Sequence, residues 1–338
     1  MAASELVGAK RLRAVALGGG HGLHATLTAL RRITTEVTAV VTVADDGGSS
    51  GRLRRELGLL PPGDLRQAFA AFAAEDGGTG GSLWAEVFQH RFGGDGALAG
   101  HAVGNLLLAG LFEVLGDPVA ALDEARRLIG VTGRVLPMSP EPLDIVAEVA
   151  GLDSDDDNAV RRIRGQVAVA STPGRVQRIS LHTSKGTGEP PKACKEAVDA
   201  VMGADVVFLG PGSWFTSVLP HLLVPDLHDA LVRTKATKVV ILNLIPQPGE
   251  TAGFSPERHL DVLFEHAPEL RVDAVIADRD STPTPARLRR AAADLGGRAH
   301  LAAVADPDVA GRHDPDALAS CMREALGLTG GENSMEGQ

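Results

Sequence analysis

Three short stretches of this chain carry residue types that could hold a phosphate. The first is Gly18-Gly19-Gly20-His21-Gly22, set between an apolar run and a helical pattern. Glycines let the backbone approach a ligand closely, and free amides at a helix start point toward an anion, so a diphosphate suits the position. The spacing is not that of a Walker loop, because no Gly-Lys-Ser/Thr follows. Nor is it the dinucleotide fingerprint, whose third glycine is Leu23 here. A tight strand-to-helix turn with no ligand is the plainer alternative.

The second stretch is Asp45-Asp46-Gly47-Gly48-Ser49-Ser50-Gly51-Arg52, again after an apolar run, followed by Pro61-Pro62-Gly63-Asp64-Leu65-Arg66. Its carboxylates could accept sugar or ribose hydroxyls, coordinate a Mg²⁺ that bridges phosphates, or serve as a general base. An Asx turn, with Asp64 capping the next helix, is the bland reading. The third stretch, Gly210-Pro211-Gly212-Ser213 with Thr216 beyond it, repeats the logic of the first. Its amides and hydroxyls would cap the same ligand from the opposite side of a topological switch point. Asn243 is a candidate for base or sugar contacts. Gly104-Asn105 weakens an apolar helical run, which calls for either a packed neighbour or a ligand.

These loops need a scaffold, and the pattern supplies βαβ units. Runs expected as strands are Arg13 to Leu17, Val37 to Val43, Val206 to Leu209, Val239 to Leu244, Ala274 to Ala277 and His300 to Val304. Helices are expected at Leu23 to Arg32, Leu65 to Ala74, Leu83 to His90, Leu98 to Leu115, Val119 to Ile129, Lys192 to Met202 and Pro256 to His266. Asp144 to Val149, Gln166 to Ala170 and Val176 to Leu181 read as strands without long helices between them, with an acidic turn at Asp153 to Asp157. The expected fold class is therefore α/β: a Rossmann-like, mostly parallel sheet with helices on both faces and a small inserted β arm at about 133–182. One domain would span 13–328, between an N-terminal tail at 1–12 and a disordered tail at 329–338.

Composition narrows the function classes. With 338 residues and 44% hydrophobic content the chain can bury a large core. A net charge of -10 argues against nucleic acid or an anionic membrane as partner, so any phosphate must be held locally. Aromatic residues at 3% leave little for base-stacking platforms. Cys194 and Cys321 form no metal or redox spacing, and no run is long and apolar enough to span a membrane, so a cytoplasmic location is expected. No His-x-x-x-His or Gly-x-Ser-x-Gly pattern occurs, against zinc or serine hydrolysis.

Taken in order, the motifs of residues 18–22, 41–54, 61–66, Gly100-His101-Ala102-Val103-Gly104-Asn105-Leu106 and 209–213 resemble the gluconeogenesis-factor (YvcK-like) family, from about Arg13 to about Leu326. That family is similar in fold to the 2-phospho-L-lactate transferases, which join a phospholactyl group to a deazaflavin alcohol from a guanylylated donor. The resemblance implies a cytoplasmic bacterial protein that binds UDP-sugars such as UDP-N-acetylglucosamine. It also implies a need for the protein in cell shape, wall synthesis and growth on gluconeogenic carbon sources, with cell-wall synthesis proteins as partners and self-association left open. Gly19, Gly20 and His21 would meet the diphosphate, Asp45 and Asp46 the donor or a Mg²⁺, and Gly210 to Ser213 the nucleotide. Arg312 matches a basic position near the ligand. The family usually carries Thr where His21 stands, so an imidazole replaces a hydroxyl there. Two function classes follow: a nucleotide-sugar-binding regulator whose ligand orders the loop from Asp45 to Gly63, and a Mg²⁺-dependent transferase in which Asp45 or Asp46 activates an acceptor hydroxyl.

Overall fold

Wholly apolar runs of four or five residues need cover on both faces, as parallel strands have. The computed structural model of the chain describes residues 11–328 apart from 76–78, 153–158, 185 and 187. Along it run strands β1 (Ala14–Gly18), β2 (Val37–Val41), β3 (Arg134–Pro137), β4 (Leu143–Ala150), β5 (Val160–Arg164), β6 (Arg175–Thr183), β7 (Val206–Leu209), β8 (Thr237–Ile241), β9 (Ala274–Asp278) and β10 (Arg298–Ala302). Seven of them form one sheet in the order β10-β9-β8-β7-β1-β2-β3, with every adjacent pair parallel. All residues of the neighbouring strands β1 and β7 are buried, and each Val or Leu so enclosed contributes roughly 1.5–3 kcal/mol.

Helices flank this sheet. Gly20–Arg31 packs against Pro62–Glu75 and Pro315–Ala325, while Lys195–Gly203 packs against Pro225–Arg233. No described helix is long and apolar enough to cross a membrane.

Strand order decides where the loops meet. From β1 the sheet grows through β2 and β3 in one direction and from β7 through β10 in the other, so the chain reverses between β1 and β7. Loops leaving the carboxyl ends of two such strands diverge and open a crevice between them. Those loops are 18–22 and 210–213.

Four local expectations need correction. Gln166–Ala170 is a short helix rather than a strand. The Asp46 carboxylate accepts the Val167 amide at 3.0 Å and so supplies a cap that the local sequence lacks. Between Asp45 and Gly63 the chain is not all loop, since Gly48–Leu57 is helical and buries Ser49, Ser50, Leu53 and Arg54. The helix expected from Leu98 begins only at Val103. The inserted sheet is β5-β4-β6, antiparallel, and β3 lies outside it, on the edge of the main sheet beside β2. The acidic turn at 153–157, the last tail and residues 1–10 of the first lie outside the described residues.

Candidate functional site

The helix after β1 begins at Gly20, and its first-turn amides at His21 and Gly22 have no intrahelical carbonyl to bond. Directly across lies the loop after β7, which contains a cis Gly210–Pro211 bond and two glycines with positive φ, Gly210 (76°) and Gly212 (130°). The two loops touch backbone to backbone: a Cβ on Gly22 would stand 2.1 Å from the Pro211 carbonyl oxygen and 2.5 Å from the Gly212 Cα. The Thr26 hydroxyl donates to the Gly210 carbonyl at 2.8 Å and locks the helix to that loop.

The crevice opens into a cleft of about 660 Å³, within the roughly 300–1,000 Å³ usual for small-molecule sites. Its lining joins His21, Gly22 and Gly212 to the apolar residues Leu244, Ile245 and Pro246, with Asp306 and the exposed Arg312 beside them. Sequence reasoning did not single out the Leu244–Pro248 wall, Asp306 or His313, because nothing local separates them from ordinary loop residues. His313 is buried, and burial lowers its ring to about 4, so the imidazole is neutral in the cleft wall.

The second loop spends its polar groups within the protein. The Gly212 amide donates to the Asn243 side-chain oxygen at 2.8 Å, and the Asn243 amide returns a bond to the Gly212 carbonyl at 2.9 Å. The Thr216 hydroxyl and the Phe215 amide donate to buried Glu250 at 2.6 and 3.0 Å, and Ser213 bonds to it as well. Burial raises the Glu250 carboxyl, and these donors oppose that rise. The loop 210–213 therefore shapes the cleft, and the unspent amides belong to the first loop. That corrects the expectation that Gly212, Ser213 and Thr216 offer free donors.

The acidic stretch divides as well. Asp64 reaches under the first loop and accepts the Gly20 amide; a Cβ on Gly19 would meet its carboxylate oxygen at 2.5 Å. Burial first, and the Asp45 charge second, push the Asp64 carboxyl up to about 7, while the Gly20 amide and Arg66 pull it down. Asp45 is raised too, mainly by burial, and is held by the Gly47 amide and Ser50. Asp46 turns elsewhere: one oxygen takes the Val167 amide and the other lies against Gly165. Asp45 and Asp46 thus serve different segments and do not converge on one cation, and no group of three or more metal-ligating side chains occurs among the described residues. As a pair they do not fit a Mg²⁺ ion.

Ser49, Arg66 and Asn105 lie deeper, in a network of their own. The Ser49 hydroxyl bonds to the His101 Nδ1 at 2.9 Å, and the Asn105 side-chain amide donates to Ser49 at 2.9 Å. Arg66 donates to Asn105 at 2.9 Å and also contacts Gln89. None of the three lines the cleft. Gly104 answers to packing: a Cβ there would lie 2.7 Å from the Phe88 ring. Arg52 donates to the Ala99 carbonyl at 2.7 Å. The structure thus brings His21, Gly22, Pro211, Gly212, Asn243 and Arg312 to one cleft and places Gly18 to Gly20, Asp45 and Asp64 just behind it.

The chain has known relatives in sequence and in overall fold. The family described as 2-phospho-L-lactate transferase CofD matches residues 14–309. A Mycobacterium tuberculosis protein provisionally named a gluconeogenesis factor is 58% identical over 311 residues, covering 91% of this chain and 88% of that one. The gluconeogenesis factor of Halalkalibacterium halodurans is 38% identical over 267 residues, covering 79% of this chain and 77% of its own length. A crystal structure of a UPF0052 family member from Bacillus halodurans superposes with a TM-score of 0.80 at 32% identity, covering 94% of this chain and all of that one.

Proposed function

Because the chain belongs to the 2-phospho-L-lactate transferase CofD family and its relatives carry the name gluconeogenesis factor, we propose that it is a nucleotide-sugar-binding regulator that takes UDP-N-acetylglucosamine or a close relative in this cleft. The observation that carries the reading is the pairing of unspent first-turn amides at His21 and Gly22 with an apolar-walled cleft rimmed by Arg312. The amides and the positive end of the helix suit a diphosphate. The apolar wall suits the flat face of a base. Occupancy would then report the level of a wall precursor in the cytoplasm and so link cell shape and wall synthesis to gluconeogenic growth. Titration of the purified protein with UDP-N-acetylglucosamine by calorimetry is expected to give saturable heat, and UDP alone to bind more weakly. A silent titration at millimolar ligand would remove the reading.

One observation favours a second reading as a transferase. Asp64, with its carboxyl near neutrality, lies against the loop that would hold a donor diphosphate, where it could accept an acceptor's proton. Asp64, rather than Asp45 or Asp46, takes that role in this reading because it accepts the Gly20 amide of the loop. Incubation with a guanylylated phospholactyl donor and a deazaflavin alcohol, followed by mass spectrometry, separates the readings. Under the regulator reading no product accumulates, whereas turnover abolished by Asp64→Asn would favour the transferase.

A further inference from the structure

The guanidinium of Arg312 is not free to wander. Its Nε donates to Asp306 Oδ2 at 2.8 Å and its Nη2 to the same oxygen at 2.5 Å. Asp306 is itself fixed. Its Oδ1 accepts the amides of Asp308 at 2.9 Å and Val309 at 3.1 Å, and its own amide donates to the Arg312 carbonyl at 2.8 Å. An antiparallel bridge between Ala305 and His313 closes the segment behind them. Asp306 is mostly enclosed, with 11% of its side chain exposed, whereas 59% of the Arg312 side chain is exposed at the cleft rim.

We propose that Asp306 is a positioning residue that aims Arg312 at the anionic part of the ligand, a proposal that rests on the nucleotide-sugar reading of the cleft. Arginine loses rotamer freedom when it binds an anion, and a partner that has already fixed the side chain lowers that cost. The pairing uses the Nε edge of the guanidinium. The Nη1 end lies outside it, on a residue that lines the cleft. The two oxygens of Asp306 have separate tasks, which makes the proposal testable. Asn at this position keeps Oδ1 for the two amides and replaces Oδ2 with an NH₂ group that cannot accept from Arg312.

The experiment is a calorimetric titration of the full chain with UDP-N-acetylglucosamine, using wild type, Asp306→Asn, Arg312→Ala and the double variant. Asp306→Asn is expected to weaken binding about tenfold, within the range of couplings between contacting residues, while leaving the melting temperature close to wild type. In the Arg312→Ala background the same substitution should have no further effect on affinity, which a merely structural role would not produce. Unchanged or tighter binding by Asp306→Asn overturns the proposal, as does an additive loss in the double variant. Failure of the wild type to bind overturns the nucleotide-sugar reading, and this proposal with it.

Discussion

Asp64→Asn is expected to stabilise the protein strongly at pH 8 and much less at pH 5, where only the first part of the effect has developed. An aspartate in an unfolded chain titrates near its ordinary value of about 3.9. In the folded protein burial and the Asp45 charge hold the Asp64 carboxyl near 7. Between those values the folded state keeps a proton that the unfolded state has lost, so stability falls as pH rises and levels off once pH passes 7. A rise from 3.8 to about 7 corresponds to a cost on the order of 4 kcal/mol at full ionisation, an upper figure because the buried site can relax. Asn keeps an oxygen for the Gly20 amide and carries no charge, so its advantage should grow from pH 5 to pH 8. Thermal melts of both proteins across that range test this, and parallel pH profiles would refute it.

The same proton should couple to the ligand. A UDP-sugar diphosphate has no group that titrates near neutrality, so a pH-dependent affinity must come from the protein. Asp64 lies behind the loop with Asp45 and Arg66 beside it, while His21 and His24 face the cleft. An anion in front of Asp64 disfavours its charged form, so binding should weaken as pH rises through 7. The Asp64→Asn protein should lose that part of the slope.

How far the residues announced all this varies with the distance over which each is held. β7 and the helix Pro256–His266 match their expected bounds because unbroken apolar runs and a Pro at the helix start are local signals. The first and third loops were legible for the same reason: glycines between a strand and a helix have few uses. Long-range effects were not. Val167 and Val169 alternate with alanines like a strand, yet the segment is a short helix whose Val167 amide is capped by Asp46, 121 residues away in sequence. Ser49, Arg66 and Asn105 read as ligand-facing because their motifs are polar and glycine-rich, yet they satisfy one another and His101 in the interior. Asn243 and Glu250 show the converse: a polar side chain beside the cleft is spent on shaping the backbone that the ligand would meet. Which polar groups bond to one another depends on how the loops pack, and spacing along the chain does not encode it.

Gly22→Ala is expected to lower stability sharply and to reduce ligand affinity by more than tenfold, a larger loss than any single side-chain truncation at the cleft. The added methyl would stand 2.1 Å from the Pro211 oxygen and 2.5 Å from the Gly212 Cα, both main-chain positions. They have little room to retreat, because Thr26 holds the Gly210 carbonyl and Asn243 clasps Gly212 from both sides. Overpacking of this kind costs typically 1–3 kcal/mol, and more where the obstacle is backbone. Relief requires the two loops to separate, and separation displaces the His21 and Gly22 amides from the crevice whose width they define. Gly110→Ala is the matched control. Gly110 lies in the helix Val103–Leu115, where a Cβ meets nothing within 4 Å, so that substitution should stabilise by about 0.5–1 kcal/mol through helix propensity alone. Denaturant melts and UDP-N-acetylglucosamine titrations of the two variants measure both effects. If Gly22→Ala behaved like Gly110→Ala in both, the close contact between the loops would be wrong, and so would the crevice built on it.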